Sequence, residues 1–268
     1  MPLPLFVVDA FTDVPFAGNP AAVVLLERAA EPAWMQSVAA EMNLSETAFA
    51  FPLGEDRYAL RWFTPTSEIP LCGHATLATG AVLHREGRVI GERVTFETAS
   101  GALHVDRVGA RFAMSMPAYG ADPVDAASIL AVLKLRPIDV RLSRSKGKKL
   151  MVVLETEAEV LAASPEPSAL LAAANPLGVE GVLLTARGSG DVDFVSRYFA
   201  PWVGIAEDPV TGSAHCVLGP YWAKRLGKTT LAAVQVSKRR GVLGVTVGDE
   251  RVVLDGGCAI VSRGELLA

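Results

Sequence analysis

Residues 197–215, R-Y-F-A-P-W-V-G-I-A-E-D-P-V-T-G-S-A-H, decide how the rest of the chain is read. A β-rich run ends at Ala200 and Pro201, a loop carries Glu207 and Asp208, and Gly212-Ser213 opens an amphipathic run to Leu226. The same order of signals occurs earlier, at residues 61–74, as R-W-F-T-P-T-S-E-I-P-L-C-G-H. Each copy has Arg-aromatic-Phe-x-Pro, an acidic loop, and a small-residue turn into a predicted helix. Each then reaches another glycine inside a strand pattern, Gly101 in one and Gly241 in the other, at nearly equal spacing. The chain therefore reads as a duplicated unit, with the two helix starts as halves of one site.

Outward from these copies, strands are predicted over residues 3–11 and 21–26, separated by the turn signals of T-D-V-P-F-A-G-N-P. Trp34, Met35, Val38 and Met42 recur at helical spacing, which predicts a helix over 31–42. The predicted helix 73–86 is small and apolar along A-T-L-A-T-G-A-V-L, a pattern that buries a helix on most sides. Residues 119–123 read as a linker, followed by a helix over 124–135 with Asp122 or Asp125 as its N-cap. Residues 157–174 read as two short helices broken near Pro165 and Pro167, and the basic run 141–149 as a solvated loop. The expected class is α+β, with short strands around one apolar helix in each half. The expected domains are 1–118 and 119–268, the last strand being free to return to the first.

Bulk properties narrow the function. At 268 residues and 50% hydrophobic content the chain can bury a sizeable core. A net charge of −4 gives no general attraction to nucleic acid or an anionic membrane, and no apolar run is long enough to span one. The start M-P-L-P-L-F-V-V-D-A-F lacks the basic segment of a secretory signal. Cys72, Cys216 and Cys258 are few and widely spaced, which suits a reducing cytoplasm and argues against a structural zinc site.

The chemistry centres on the helix starts. A helix N-terminus offers unpaired N–H groups and positive potential, and Gly73 and Gly212 allow close backbone approach there. Two such ends would clamp a small carboxylate; taken singly, each glycine could equally make a tight turn and Ser213 an N-cap. Aligning the copies pairs Cys72 with Thr211 and His74 with Ser213. A two-thiol epimerase is thereby disfavoured, leaving Cys72 as a small buried residue or as an epimerase acid working with another group. The available proton carriers are Glu46, Glu68, His74, Glu207, Asp208 and His215. Glu46, in S-E-T-A-F-A-F, is either a rim residue paired with an arginine or a general base whose pKa is raised by low dielectric. Asn19 is either a turn residue or an amide lining the site.

Four motifs carry a family resemblance: A-F-T-D-V-P-F-A-G-N-P-A-A-V, M-N-L-S-E-T-A-F, R-W-F-T-P-T-S-E-I-P-L-C-G-H-A-T and E-D-P-V-T-G-S-A-H. In this order, over most of the chain, they resemble the PhzF-like family of phenazine-biosynthesis isomerases. The resemblance implies a diaminopimelate-epimerase-like fold: two pseudo-symmetric lobes, each a β-barrel-like sheet around a central helix, with the active site in the cleft. It implies a cofactor-free isomerisation like that of dihydro-hydroxyanthranilate, with no metal and, commonly, a homodimer. It places the catalytic roles on Glu46, His74 and Asp208, and substrate-lining roles on Ser45, Gly73, Gly212 and Ser213. His215 stands where the prototype has a smaller residue and is added as a substrate-binding candidate, with Asn19. The expected function is thus isomerisation of a small carboxylate by a single shuttling glutamate. The alternatives are an amino-acid epimerase using Cys72 and a non-catalytic binding protein.

Overall fold

The strand Leu3–Ala10 turns Phe6, Val8 and Ala10 into the core and pairs antiparallel on one side with Asn19–Leu25, on the other with Cys258–Leu266. That second pairing draws the end of the chain back to its beginning. In the computed structural model, which describes residues 2–267, one compact unit runs to Ser115 and resumes at Asp255, and the other is Met116–Leu254. The division thus falls a few residues before the expected one, and the last strand lies in the first unit because it pairs residue by residue along Leu3–Ala10.

In the first unit the sheet continues from Asn19–Leu25 to Glu46–Gly54 in parallel, then antiparallel to Arg57–Phe63. Arg93–Thr98 follows in parallel, then Gly101–Val108 and Arg111–Pro117 antiparallel. Parallel neighbours need a crossover, and helices Pro32–Met42 and Gly73–Arg85 supply the two. The helix Gly73–Arg85 is buried from His74 to His84 and packs on Leu3–Ala10, Asn19–Leu25, Glu46–Gly54, Gly101–Val108 and Cys258–Leu266. Its hydroxyls survive burial by bonding back one turn, Thr76 Oγ1 to Cys72 O at 2.5 Å and Thr79 Oγ1 to Ala75 O at 2.7 Å. At Gly80 a β-carbon would stand 2.6 Å from Val105 Cγ1, so only glycine lets that strand approach.

The second unit repeats this plan. Ala121–Pro123 pairs with Asp139–Ser143, which runs antiparallel to Lys149–Val153. Gly181–Arg187 is parallel to Lys149–Val153, Phe194–Ala200 antiparallel to it in turn, Thr230–Gln235 parallel to Phe194–Ala200, and Gly241–Val247 antiparallel at the end. Helices Glu157–Ala162 and Pro167–Ala172 make the first crossover and Gly212–Leu226 the second. Gly219 is the counterpart of Gly80: its β-carbon would stand 2.9 Å from Val245 Cγ1. The next residue, Pro220, cannot donate within the helix, and the freed Cys216 carbonyl accepts from Tyr119 N–H at 2.9 Å.

Two local expectations are corrected here. Part of the supposed linker is the strand Ala121–Pro123, so the next helix begins only at Ala127, where Asp125 Oδ1 accepts the Ala127 N–H at 3.0 Å. The basic run 141–149 is not one solvated loop: Arg141 lies in a strand, and Lys149 starts another, buried strand. Among the described residues no helix is long and apolar enough to cross a membrane.

Candidate active site

Glu46 heads the strand Glu46–Gly54, directly beside Ala21 of the parallel strand Asn19–Leu25. Its approach is fixed by the turn before it. Asn43 closes the preceding helix in the left-handed region (φ 48°), and Ser45 Oγ bonds to Pro20 O at 3.2 Å. Asn19, Ser45 and Glu46 therefore gather at one end of this strand pair, with Asn19 fully buried.

Cys72, Gly73 and His74 stand at the start of the helix Gly73–Arg85, where Cys72 is the N-cap in extended conformation and gives no side-chain cap. His74 reaches both ways. Its Nε2 lies 3.2 Å from Glu46 Oε2, and its Nδ1 lies 3.5 Å from Cys72 Sγ. Both atoms are buried, and outside this close ion-pair contact neither has a hydrogen-bond partner.

Electrostatics fix the charge states. Burial pushes the Glu46 carboxyl up, but the positive His74, with hydrogen bonds from His74, Ser45 and Cys72, carries it below the ordinary value. Burial pushes His74 down, yet the anionic character of Cys72 and Glu46 and its bonds to both raise it well above the ordinary imidazole value. Burial dominates at Cys72 and pushes the thiol up. The surroundings thus favour the ionised form of Glu46, the protonated form of His74 and the thiol form of Cys72. The expectation that low dielectric raises Glu46 is corrected: a neighbouring cation outweighs the burial.

The donor atoms of Glu46, Cys72 and His74 lie within 4.8 Å of one another, a group with the composition of a metal site. His74 turns Nδ1 toward Cys72 and Nε2 toward Glu46.

In the second unit Thr211 is the N-cap of the helix Gly212–Leu226. Asp208 accepts from Thr211 Oγ1 at 2.5 Å, while Gln235 holds the loop from beneath, its Oε1 taking Thr211 N–H at 2.9 Å and its Nε2 donating to Asp208 O at 2.7 Å. Gly212 is buried and Ser213 partly exposed at this helix start. Neither Gln235 nor Lys149 stood out in the sequence. Lys149 is buried, its ammonium 5.6 Å from the Tyr198 ring centre, and burial pushes its pKa down despite Glu180, Cys216 and Asp208 nearby.

The remaining candidates have other occupations. Glu68 pairs with Arg61 through two bonds of 2.7 Å, and Glu207 with Arg197 at 2.7 and 3.0 Å, the same ion pair in both copies. His215 is fully buried, its ring 5.8 Å from that of Phe194, with Nδ1 2.8 Å from Thr211 O. Burial lowers its pKa to about 4, so it is neutral and its Nδ1–H donates to that carbonyl. It is buried in the second unit beside Phe194, where its ring bonds back to the start of its own helix.

The first unit thus sets a buried acid–base pair, Glu46 and His74, at the start of its central helix. The phenazine biosynthesis-like family, PhzC-PhzF, matches residues 8–264. The chain belongs to this isomerase- and epimerase-like family. It is 45% identical over 267 residues to an "uncharacterized isomerase" of Pseudomonas aeruginosa, covering 99% of each chain. A crystal structure of a PhzF-family phenazine biosynthesis protein from Enterococcus faecalis superposes with a TM-score of 0.94 at 43% identity over 100% of both chains. A probable proline racemase from Agrobacterium radiobacter, 11% identical, gives a TM-score of 0.62 over 98% of this chain and 92% of that one, a likeness of fold alone. The fold is the diaminopimelate-epimerase-like one that the motifs implied.

Proposed function

We propose that the protein is a cofactor-independent isomerase of a small carboxylate and that Glu46 carries the proton. The observation that carries this reading is the buried Glu46–His74 pair, 3.2 Å apart, at the uncapped start of the helix Gly73–Arg85. An ionised glutamate is in the state a base needs before it takes a proton. The helix N-terminus and His74 attract the substrate's carboxylate, and Gly73 lets it come close to the backbone. The substrate's negative charge then offsets that of His74, which raises the proton affinity of Glu46 as the reaction begins.

Glu46 removes a proton from carbon, the electron pair of that C–H bond becomes a new double bond to the neighbouring carbon, and the pair of the old double bond is left on its far carbon. Protonated Glu46 returns its proton there, so the product is an isomer and nothing is oxidised or reduced. Asp208, held by Thr211 and Gln235, is assigned to the same reaction as a polarising acid. The reading is tested by incubating the protein in deuterated water with dihydro-hydroxyanthranilate and a panel of amino acids, with mass spectrometry of each. Incorporation of deuterium into a carbon position supports it; no labelling of any of them over hours of incubation contradicts it.

A further inference from the structure

The reaction proposed above leaves Cys72 idle, although its sulfur touches the centre of the site. The side chain is 6% exposed, Sγ lies 3.5 Å from His74 Nδ1, and the Cys72 carbonyl is taken by Thr76 Oγ1 and the Thr76 N–H. These bonds fix the cysteine's backbone and leave its sulfur facing the imidazole. The other nitrogen of that ring, Nε2, lies 3.2 Å from Glu46 Oε2. Sulfur, imidazole and carboxylate thus form a tight trio, their donor atoms within 4.8 Å of one another.

We infer that Cys72 is a positioning residue: its sulfur accepts the Nδ1–H of His74, fixes the ring about its side-chain torsions, and so holds Nε2 beside the Glu46 carboxylate. A buried imidazolium with one unmatched N–H is costly, because a desolvated ionic donor forgoes a charge-assisted bond. With the sulfur present Nδ1–H has an acceptor and Nε2 faces the Glu46 carboxylate, so the ring stays charged and the charged ring keeps Glu46 ionised. The inference rests on the reading of Glu46 as the base, but the charge of His74 can be measured without any substrate. The titratable groups acting on the ring are Cys72 on its own element and Glu46 on the neighbouring strand, with the Ser45 hydroxyl acting on Glu46.

Two substitutions separate positioning from packing. Cys72→Ala keeps an apolar residue but removes the acceptor, whereas Cys72→Ser keeps an acceptor and places a polar group in a buried spot. A packing role favours alanine over serine; a positioning role favours serine over alanine. The experiment is nitrogen-15 NMR of the full chain labelled at histidine, followed over pH, with His74 assigned from a His74→Gln sample and folding checked by circular dichroism.

The expected result is that His74 shows both nitrogens protonated at neutral pH in the unaltered protein and in Cys72→Ser. In Cys72→Ala its titration midpoint falls by about one pH unit or more. An unchanged midpoint in Cys72→Ala, or a fall as large in Cys72→Ser, overturns the inference. Should Cys72→Ala not fold, the serine variant decides alone: retention of the doubly protonated ring supports the role, and its loss refutes it. If the NMR result holds while Glu46→Gln still exchanges substrate protons, the reading of the reaction falls and the role of Cys72 in setting the ring's charge stands.

Discussion

Thr76 and His215 make the same hydrogen bond in the two copies of the unit, each reaching back one turn to the carbonyl of the residue before its helix. The bonds run from Thr76 Oγ1 to Cys72 O at 2.5 Å and from His215 Nδ1 to Thr211 O at 2.8 Å. Counting from Gly73 and Gly212 puts the two side chains in register, so His215 does in one helix what a threonine does in the other.

This relationship predicts an acid-side loss of stability. His215 titrates at about 4 when folded and at the ordinary 6.5 when unfolded, so the unfolded chain binds its proton first as pH falls. The contribution is fully present above 6.5 and is lost on the way down to about 4, a change of roughly 3 kcal/mol. His215→Thr leaves a cavity and lowers stability at neutral pH, but it flattens this part of the pH dependence. Denaturant unfolding at several pH values between 4 and 7 checks both signs, and an unchanged slope in the variant contradicts the assignment.

Gly80 and Gly219 predict a second pair of matched effects. A methyl group at either position meets a β-branched side chain, Val105 or Val245, that has little rotamer freedom to yield. Gly80→Ala and Gly219→Ala are each expected to cost about 1–3 kcal/mol by overpacking. Adding Val105→Ala or Val245→Ala in the same chain makes room, so each double variant loses less than the sum of its single ones. Strict additivity in urea unfolding would mean that the close approach is not what requires glycine.

The loop carrying Asp208 predicts a kinetic effect without a change in fold. Thr211→Val preserves shape while removing the 2.5 Å hydroxyl bond to Asp208. Gln235→Leu removes the amide that holds both ends of the loop. If Asp208 serves the reaction, each variant slows deuterium uptake into substrate about tenfold or more, as expected for removing a group that orients a catalytic acid. Wild-type uptake in both would detach Asp208 from the reaction.

The duplication was legible because it is written twice: Arg-aromatic-Phe-x-Pro, the acidic loop and the glycine turn recur with the same order. Extending that register would also have matched Gly80 with Gly219 and Thr76 with His215, which the local reading of His215 as a proton carrier missed. The charge of Glu46 was not legible. Burial alone raises a carboxyl, and only the folded contact with His74 shows that a cation reverses the direction. Gln235 was invisible for a different reason: it ends the strand Thr230–Gln235 with no motif around it, and its task is set by a loop far away in sequence. The burial of Lys149 was not legible because a basic run looks solvated until its register in a sheet is known.

The account stands most directly on Glu46. In deuterated water, with a carboxylate that the unaltered protein labels, Glu46→Gln should bind that carboxylate with similar affinity and lose uptake of deuterium by several orders of magnitude. Glu46→Asp, which keeps the carboxylate but retracts it from His74, should retain a small fraction of the rate. Undiminished labelling by Glu46→Gln, with the protein folded and the ligand bound, would contradict the central claim that this glutamate carries the proton.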